Sequence, residues 1–174
     1  MEKNEIKIVM VNEVVPARAV DDFYGEADSE YATSIIGLFQ RAGVSVSSTQ
    51  DLLEMGIYLT NAVKTPKTGY EIPKEIIKDH SFMLEDELKA FNQVKVIMLM
   101  GDVAKKSFNF IAKRTSGKNV IPSGATYKLR ATSFFYGEVK VMPSYIMTGK
   151  NILIEKSKAD MIVSDITSAL DYLK

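Results

Sequence analysis

Val96-Ile97-Met98-Leu99-Met100 sets five apolar side chains in a row between Lys95 and the turn Gly101-Asp102. A strand with one wet face alternates polar and apolar residues, so an unbroken apolar run this short predicts a strand buried on both faces. That is the situation of a central strand in a parallel sheet sandwiched by helices. The neighbouring segments agree. Glu5 to Val11 reads as a first strand breaking toward Pro16, Ile57 to Leu59 as a second, and Lys95 to Met100 as the central one. Helices are predicted between them: Ser29 to Ala42, with Tyr31, Ile35, Leu38, Phe39 and Ala42 on one face and Gly43 as its stop, Thr49 to Glu54, and Pro73 to Phe91 with proline at its start. After Gly101-Asp102 a helix is predicted over Val103 to Lys113. Past Gly117 the pattern changes to short strands around Thr126 to Arg130, Ser133 to Tyr136 and Glu138 to Met142. A last helix over Lys158 to Leu173 carries the stripe Met161, Ile162, Ile166, Ala169, Leu170 and Leu173. The alternation predicts one three-layer α/β/α domain over residues 1–174 with a mainly parallel central sheet.

Composition narrows what such a domain can do. A chain of 174 residues with 46% apolar content supports one sizeable core. No apolar run approaches the roughly 18 residues of a membrane span. The opening Met1-Glu2-Lys3-Asn4-Glu5 lacks a basic-then-apolar leader, so a cytoplasmic location and no membrane partner are expected. Cysteine is absent and His80 is the only histidine, which excludes disulfides, thiolate zinc sites, iron–sulfur clusters and multi-histidine metal sites. Neither metal nor cofactor is expected, and the chain is expected to be a monomer. His80 falls in register with Ile76, Leu84 and Phe91, as a satisfied histidine at the core's edge would. Formal charge is zero, yet residues 1–60 hold ten acidic and four basic side chains, while Val103 to Lys158 holds eleven basic against two acidic. Those lysines either solvate helix and hairpin surfaces or provide a phosphate-facing side.

In open α/β sheets ligands bind where strands end, and Glu13, Asn61, Gly101 and Ser144 belong to four segments that converge there. Their surroundings are Asn12-Glu13-Val14-Val15-Pro16, Thr60-Asn61-Ala62-Val63-Lys64, Met100-Gly101-Asp102-Val103-Ala104 and Met142-Pro143-Ser144-Tyr145-Ile146. In order and spacing these resemble the motifs of the uracil-DNA glycosylase superfamily, over most of the chain. The resemblance implies a glycosylase fold and hydrolysis of the N-glycosidic bond of a flipped uracil or related damaged base in DNA. It assigns Glu13 to the attacking water or the sugar cation, and Asn61 to the uracil edge, where an amide pairs with adjacent acceptor and N–H groups. Phe23 or Tyr24, in Asp21-Asp22-Phe23-Tyr24-Gly25, would stack on the base. Ser144 and the backbone around it would support the leaving base.

Two positions depart from the pattern. Thr65 stands where one branch of the superfamily has a cluster cysteine, and Met142 stands where it has a histidine that donates to the leaving base. A thioether cannot donate. Met142 would therefore contact the base without assisting its departure, and losing a donor of that kind lowers rate on the order of 10²–10³. DNA is the implied partner, single- or double-stranded. Lys64, Lys105, Ser144, Tyr145 and Lys150 would meet its backbone, the last two from a probing loop over Tyr145 to Asn151. A second reading is a superfamily member that lost catalysis and binds nucleic acid or a nucleobase. A third is an α/β enzyme acting on free nucleosides or other small molecules, which would need no basic face.

Overall fold

A computed structural model describes every residue except 1–4, 150, 151 and 153. Strands β1 (Ile8–Val14), β2 (Ile57–Val63), β3 (Val96–Met100), β4 (Phe134–Tyr136) and β5 (Val139–Ser144) form one sheet in the order β2-β1-β3-β5-β4. All pairings are parallel except β4 with β5, a hairpin turned at Gly137 with φ 60°. Among the described residues six α-helices accompany it, α1 (Glu30–Arg41), α2 (Thr49–Glu54), α3 (Lys74–Lys89), α4 (Asp102–Ser116), α5 (Thr126–Leu129) and α6 (Lys156–Tyr172), with one short 3-10 turn at Ala19–Asp21.

The apolar strands divide their side chains between two cores. Ile8 and Met10, Ile57 and Leu59, and Val96 and Met98 point into a layer closed by α1 and α6, packing against Ile35, Leu38, Phe39, Ile162 and Ile166. Val9, Val11, Ile97 and Leu99 point the other way onto Leu84 of α3 and Phe108 and Ile111 of α4. Two dry faces are why these strands carry no alternation. From β1 the chain moves to β2 on one side and then to β3 on the other, so the connections diverge at the carboxyl ends of β1 and β3. This is the crevice where open α/β sheets take their ligands.

Element ends differ from expectation where polar residues satisfy one another. β1 and β2 continue through Asn12 and Asn61, which lie opposite each other in register rather than in loops. Asn12 Nδ2 donates to Asn61 Oδ1 at 3.0 Å, so two buried amides can stay inside the ladder. Thr126 to Arg130 forms the helical turn α5, not a strand. Thr126, Leu129 and Arg130 each have an anchor: the Lys105 ammonium, the α4 core and Asp165. Positions i, i+3 and i+4 can reach together only from one face of a helix. Among the described residues no helix is long and apolar enough to cross a membrane.

Candidate functional site

A pocket of about 590 Å³ opens at the divergence of β1 and β3. Glu13 and Gly101 line it, together with Tyr127 of α5 and with Tyr145 and Thr148 beyond β5. Odd-numbered β1 residues face α4, and Glu13 follows them, its Oε2 accepting from Val103 N–H in the first turn of α4 at 3.1 Å. A carboxylate there meets the positive end of the helix. Burial nonetheless pushes the Glu13 carboxyl above its ordinary value. The Val103 N–H opposes that shift, Asp102 adds to it, and Lys67 and Lys106 draw it down. Gly101 is part of the same construction. Its φ of 105° suits glycine, and a Cβ would stand 2.7 Å from the Ile146 side chain and 3.1 Å from that of Glu13.

Asn61 lies behind this pocket. It is 3% exposed, and its amide is committed at both ends, Oδ1 accepting from Asn12 and Nδ2 donating to Asp22 Oδ1 at 3.0 Å. Asp22 Oδ1 also accepts from Phe23 N–H at 2.8 Å, while Thr148 on the pocket wall donates to Asn12 Oδ1 at 3.3 Å. A polar chain Thr148-Asn12-Asn61-Asp22 thus connects the pocket wall to the turn before α1. Ser29, the N-cap of α1, fixes that turn by donating to the Asp22 carbonyl at 2.7 Å. Nearby, the Tyr31 hydroxyl donates to the Val14 carbonyl at 2.8 Å, and burial pushes it up to about 12, so it remains a donor.

Several residues expected in the site lie elsewhere. Phe23 is 2% exposed and packs at 5.3 Å on Tyr31 in the α1 layer, leaving no face for a base. Tyr24 stacks on Tyr58 at 5.9 Å, outside the pocket, and its hydroxyl accepts from Leu59 N–H at 2.9 Å. Its ring meets solvent, but the hydroxyl is desolvated and pushed up to about 12. The pocket's aromatic walls are Tyr127 and Tyr145 instead. Met142 sits opposite Met98 within the ladder and packs against the core.

Ser144 is fully buried, because even-numbered β5 residues face α6, and its hydroxyl donates to Asp165 Oδ2 at 2.6 Å. Arg130 donates to the same carboxylate through Nε and Nη2, at 3.1 and 2.9 Å, and to the Met161 carbonyl. Ser144 therefore belongs to a structural clamp joining β5, α5 and α6, not to a surface that could meet a base or a DNA strand.

Two of the expected backbone lysines are likewise committed. Lys64 pairs with Glu87 at 2.7 Å in a cluster that also takes the Tyr58 and Thr60 hydroxyls, and its backbone N–H donates to His80 Nδ1. That bond is what satisfies His80. Lys105 is 6% exposed, held by Asp102 at 2.7 Å and by Thr126 Oγ1 at 2.6 Å. Lys150 lies outside the described residues. Tyr145 does line the pocket, with the Lys158 ammonium 5.7 Å from its ring centroid.

Sequence reasoning missed Tyr127, Asp102, Glu155 and Lys158 as lining residues. Ser123-Gly124 marks a loop just ahead of Tyr127, the one local signal that an aromatic there could stand at a strand-end opening. Among the described residues, no group of three or more His, Cys, Asp and Glu could hold a metal ion. What the arrangement offers is proton transfer by one desolvated carboxyl, between aromatic walls and beside a buried amide relay. Neither a scan of protein-family models nor a search of curated proteins finds a match to this chain.

Proposed function

We propose that the chain is a uracil-DNA glycosylase-like hydrolase that removes uracil or a related damaged base from DNA, as a monomer. The observation that carries this reading is Glu13: a carboxylate raised by burial, held against the start of α4, lining a pocket in the β1/β3 crevice. A carboxyl tuned upward toward neutrality is what general base catalysis favours. In the reaction, a water oxygen bonds to the sugar C1′ as the C1′–N bond breaks, and the bonding pair leaves with the base. Glu13 takes the water's proton and its negative charge stabilises the cation-like sugar, while Tyr127 and Tyr145 flank the extruded nucleotide. Asn61 is two hydrogen bonds behind Thr148 and reads the base edge by exchanging its bonds to Asn12 and Asp22 for bonds to the base, which requires the Thr148–Asn12 link in front of it to open first.

The test uses single- and double-stranded oligonucleotides carrying one uracil, with alkaline cleavage of abasic sites. Strand cleavage by the wild type should fall by about 10²-fold or more in Glu13→Gln and be strongly reduced in Asn61→Ala. Because the active form is the carboxylate and its pKa is raised, the rate should fall on the acid side at a higher pH than an ordinary glutamate would give. Cleavage equal in wild type and both variants would refute the assignment.

A second reading, a recognition module without catalysis, is favoured by one specific observation. Met142 has no donor and Ser144 has committed its own to Asp165, so neither can assist the leaving base. Uracil-dependent binding without cleavage over long incubation would establish it.

A further inference from the structure

The pocket continues beyond its rim. Asp102 and Gly124 also line a cavity of about 270 Å³ along α4. Lys106, Asn109, Asn119 and Ser123 of that cavity line a third, of about 440 Å³, reaching Lys74 at the start of α3. Together they make a furrow leading from the pocket between α4 and the 119–124 segment. We propose that this furrow binds the phosphodiester backbone of a single-stranded nucleic acid continuing from the nucleotide in the pocket, with Lys106, Lys113 and Lys74 as its phosphate contacts. The proposal rests on the nucleic-acid reading of the pocket.

Four features support it. Lys74, Lys106 and Lys113 are exposed and, among the described residues, make no salt bridge, unlike Lys64 and Lys105. Lys106 and Lys113 are two turns apart on one face of α4, roughly 10 Å, a repeat that suits a chain of charges better than an isolated anion. Among the described residues the only acidic side chain lining the two outer cavities is Asp102, which also lines the pocket and pairs with Lys105. The facing wall is preorganised: Asn109 Oδ1 accepts from Val120 and Ile121 N–H, both at 3.0 Å, and its Nδ2 donates to the Ile121 carbonyl at 2.8 Å. Beside the lysines the furrow presents Ile72 and Phe110. Apolar surface together with cations complements a single strand, whose base faces are open, better than a duplex, which hides them, or an acidic peptide, which lacks them.

The experiment is fluorescence anisotropy with labelled oligo-dT of about four and about twelve nucleotides and a duplex of the longer length. The protein is compared with Lys74→Glu/Lys113→Glu and with a control of equal charge change, Lys95→Glu/Lys174→Glu, at the amino end of β3 and the end of α6. The furrow variant should bind the longer strand at least about tenfold more weakly and the short one nearly as well as wild type. Its dependence of log K on log salt should be shallower by about 1.4, for two lost contacts. Equal weakening in the control, preferential binding of the duplex, or no binding of oligo-dT by wild type would each overturn the furrow. The uracil cleavage assay separates the two claims. Cleavage that requires Glu13 and Asn61 but ignores the furrow variant leaves the pocket reading standing alone, whereas furrow-dependent binding without cleavage removes only the enzymatic reading.

Discussion

Glu13 is held in a state that favours its protonated form, and this has a sign. Its folded pKa lies above its ordinary 4.5, so the folded chain binds the proton more tightly than the unfolded chain does. Stability contributed by the group therefore declines as pH rises through that window, and the penalty is complete above it. Glu13→Gln keeps an acceptor for Val103 N–H and removes the charge. The variant should match wild type in urea unfolding near pH 4 and exceed it at pH 8, while losing cleavage. Gly101→Ala adds a methyl where φ is positive and Ile146 and Glu13 already press close. It should lower stability by about 1–3 kcal/mol, read from thermal unfolding, and reduce activity further by displacing Glu13.

At the scale of elements, the clamp of Ser144, Asp165 and Arg130 decides how α5 and α6 frame the pocket. Arg130→Met strands a buried Asp165 and should destabilise by about 3–5 kcal/mol. Ser144→Ala should remove about 1.5–3 kcal/mol, and the double variant less than the sum, because both partners serve one carboxylate. Within α4, Ser107 Oγ is buried and has no partner among the described residues. Ser107→Ala should raise stability by about 0.5–1 kcal/mol, from helix propensity and a removed unpaired hydroxyl. Helix positions were legible beforehand because caps and stripes are local: Ser29 caps α1, and Ser48 with Asp51 forms a capping box on α2. Thr126 to Arg130 was not, since five residues of alternating character fit a strand and a helical turn equally.

For the whole molecule, one sheet serves both cores, so the layers have no independent seam. Far-UV circular dichroism and tyrosine fluorescence should report one coincident urea transition, and separate midpoints would contradict a single cooperative unit. What the sequence determined by itself was the order of strands and helices outside Thr126 to Arg130, the doubly buried sheet and the convergence of Glu13 and Gly101 at its carboxyl edge. These follow from apolar runs, caps and turns, which act over a few residues. Only the tertiary structure decided which polar side chains face the opening. Ser144 and Met142 turn inward because strand parity points them at α6 and its core, Asn61 is held by Asn12 across the ladder, and Lys64 and Lys105 are claimed by Glu87 and Asp102. A motif fixes which residue is present, but Asn12, Asp165 and Glu87, which claim Asn61, Ser144 and Lys64, are 49, 21 and 23 residues away in the chain.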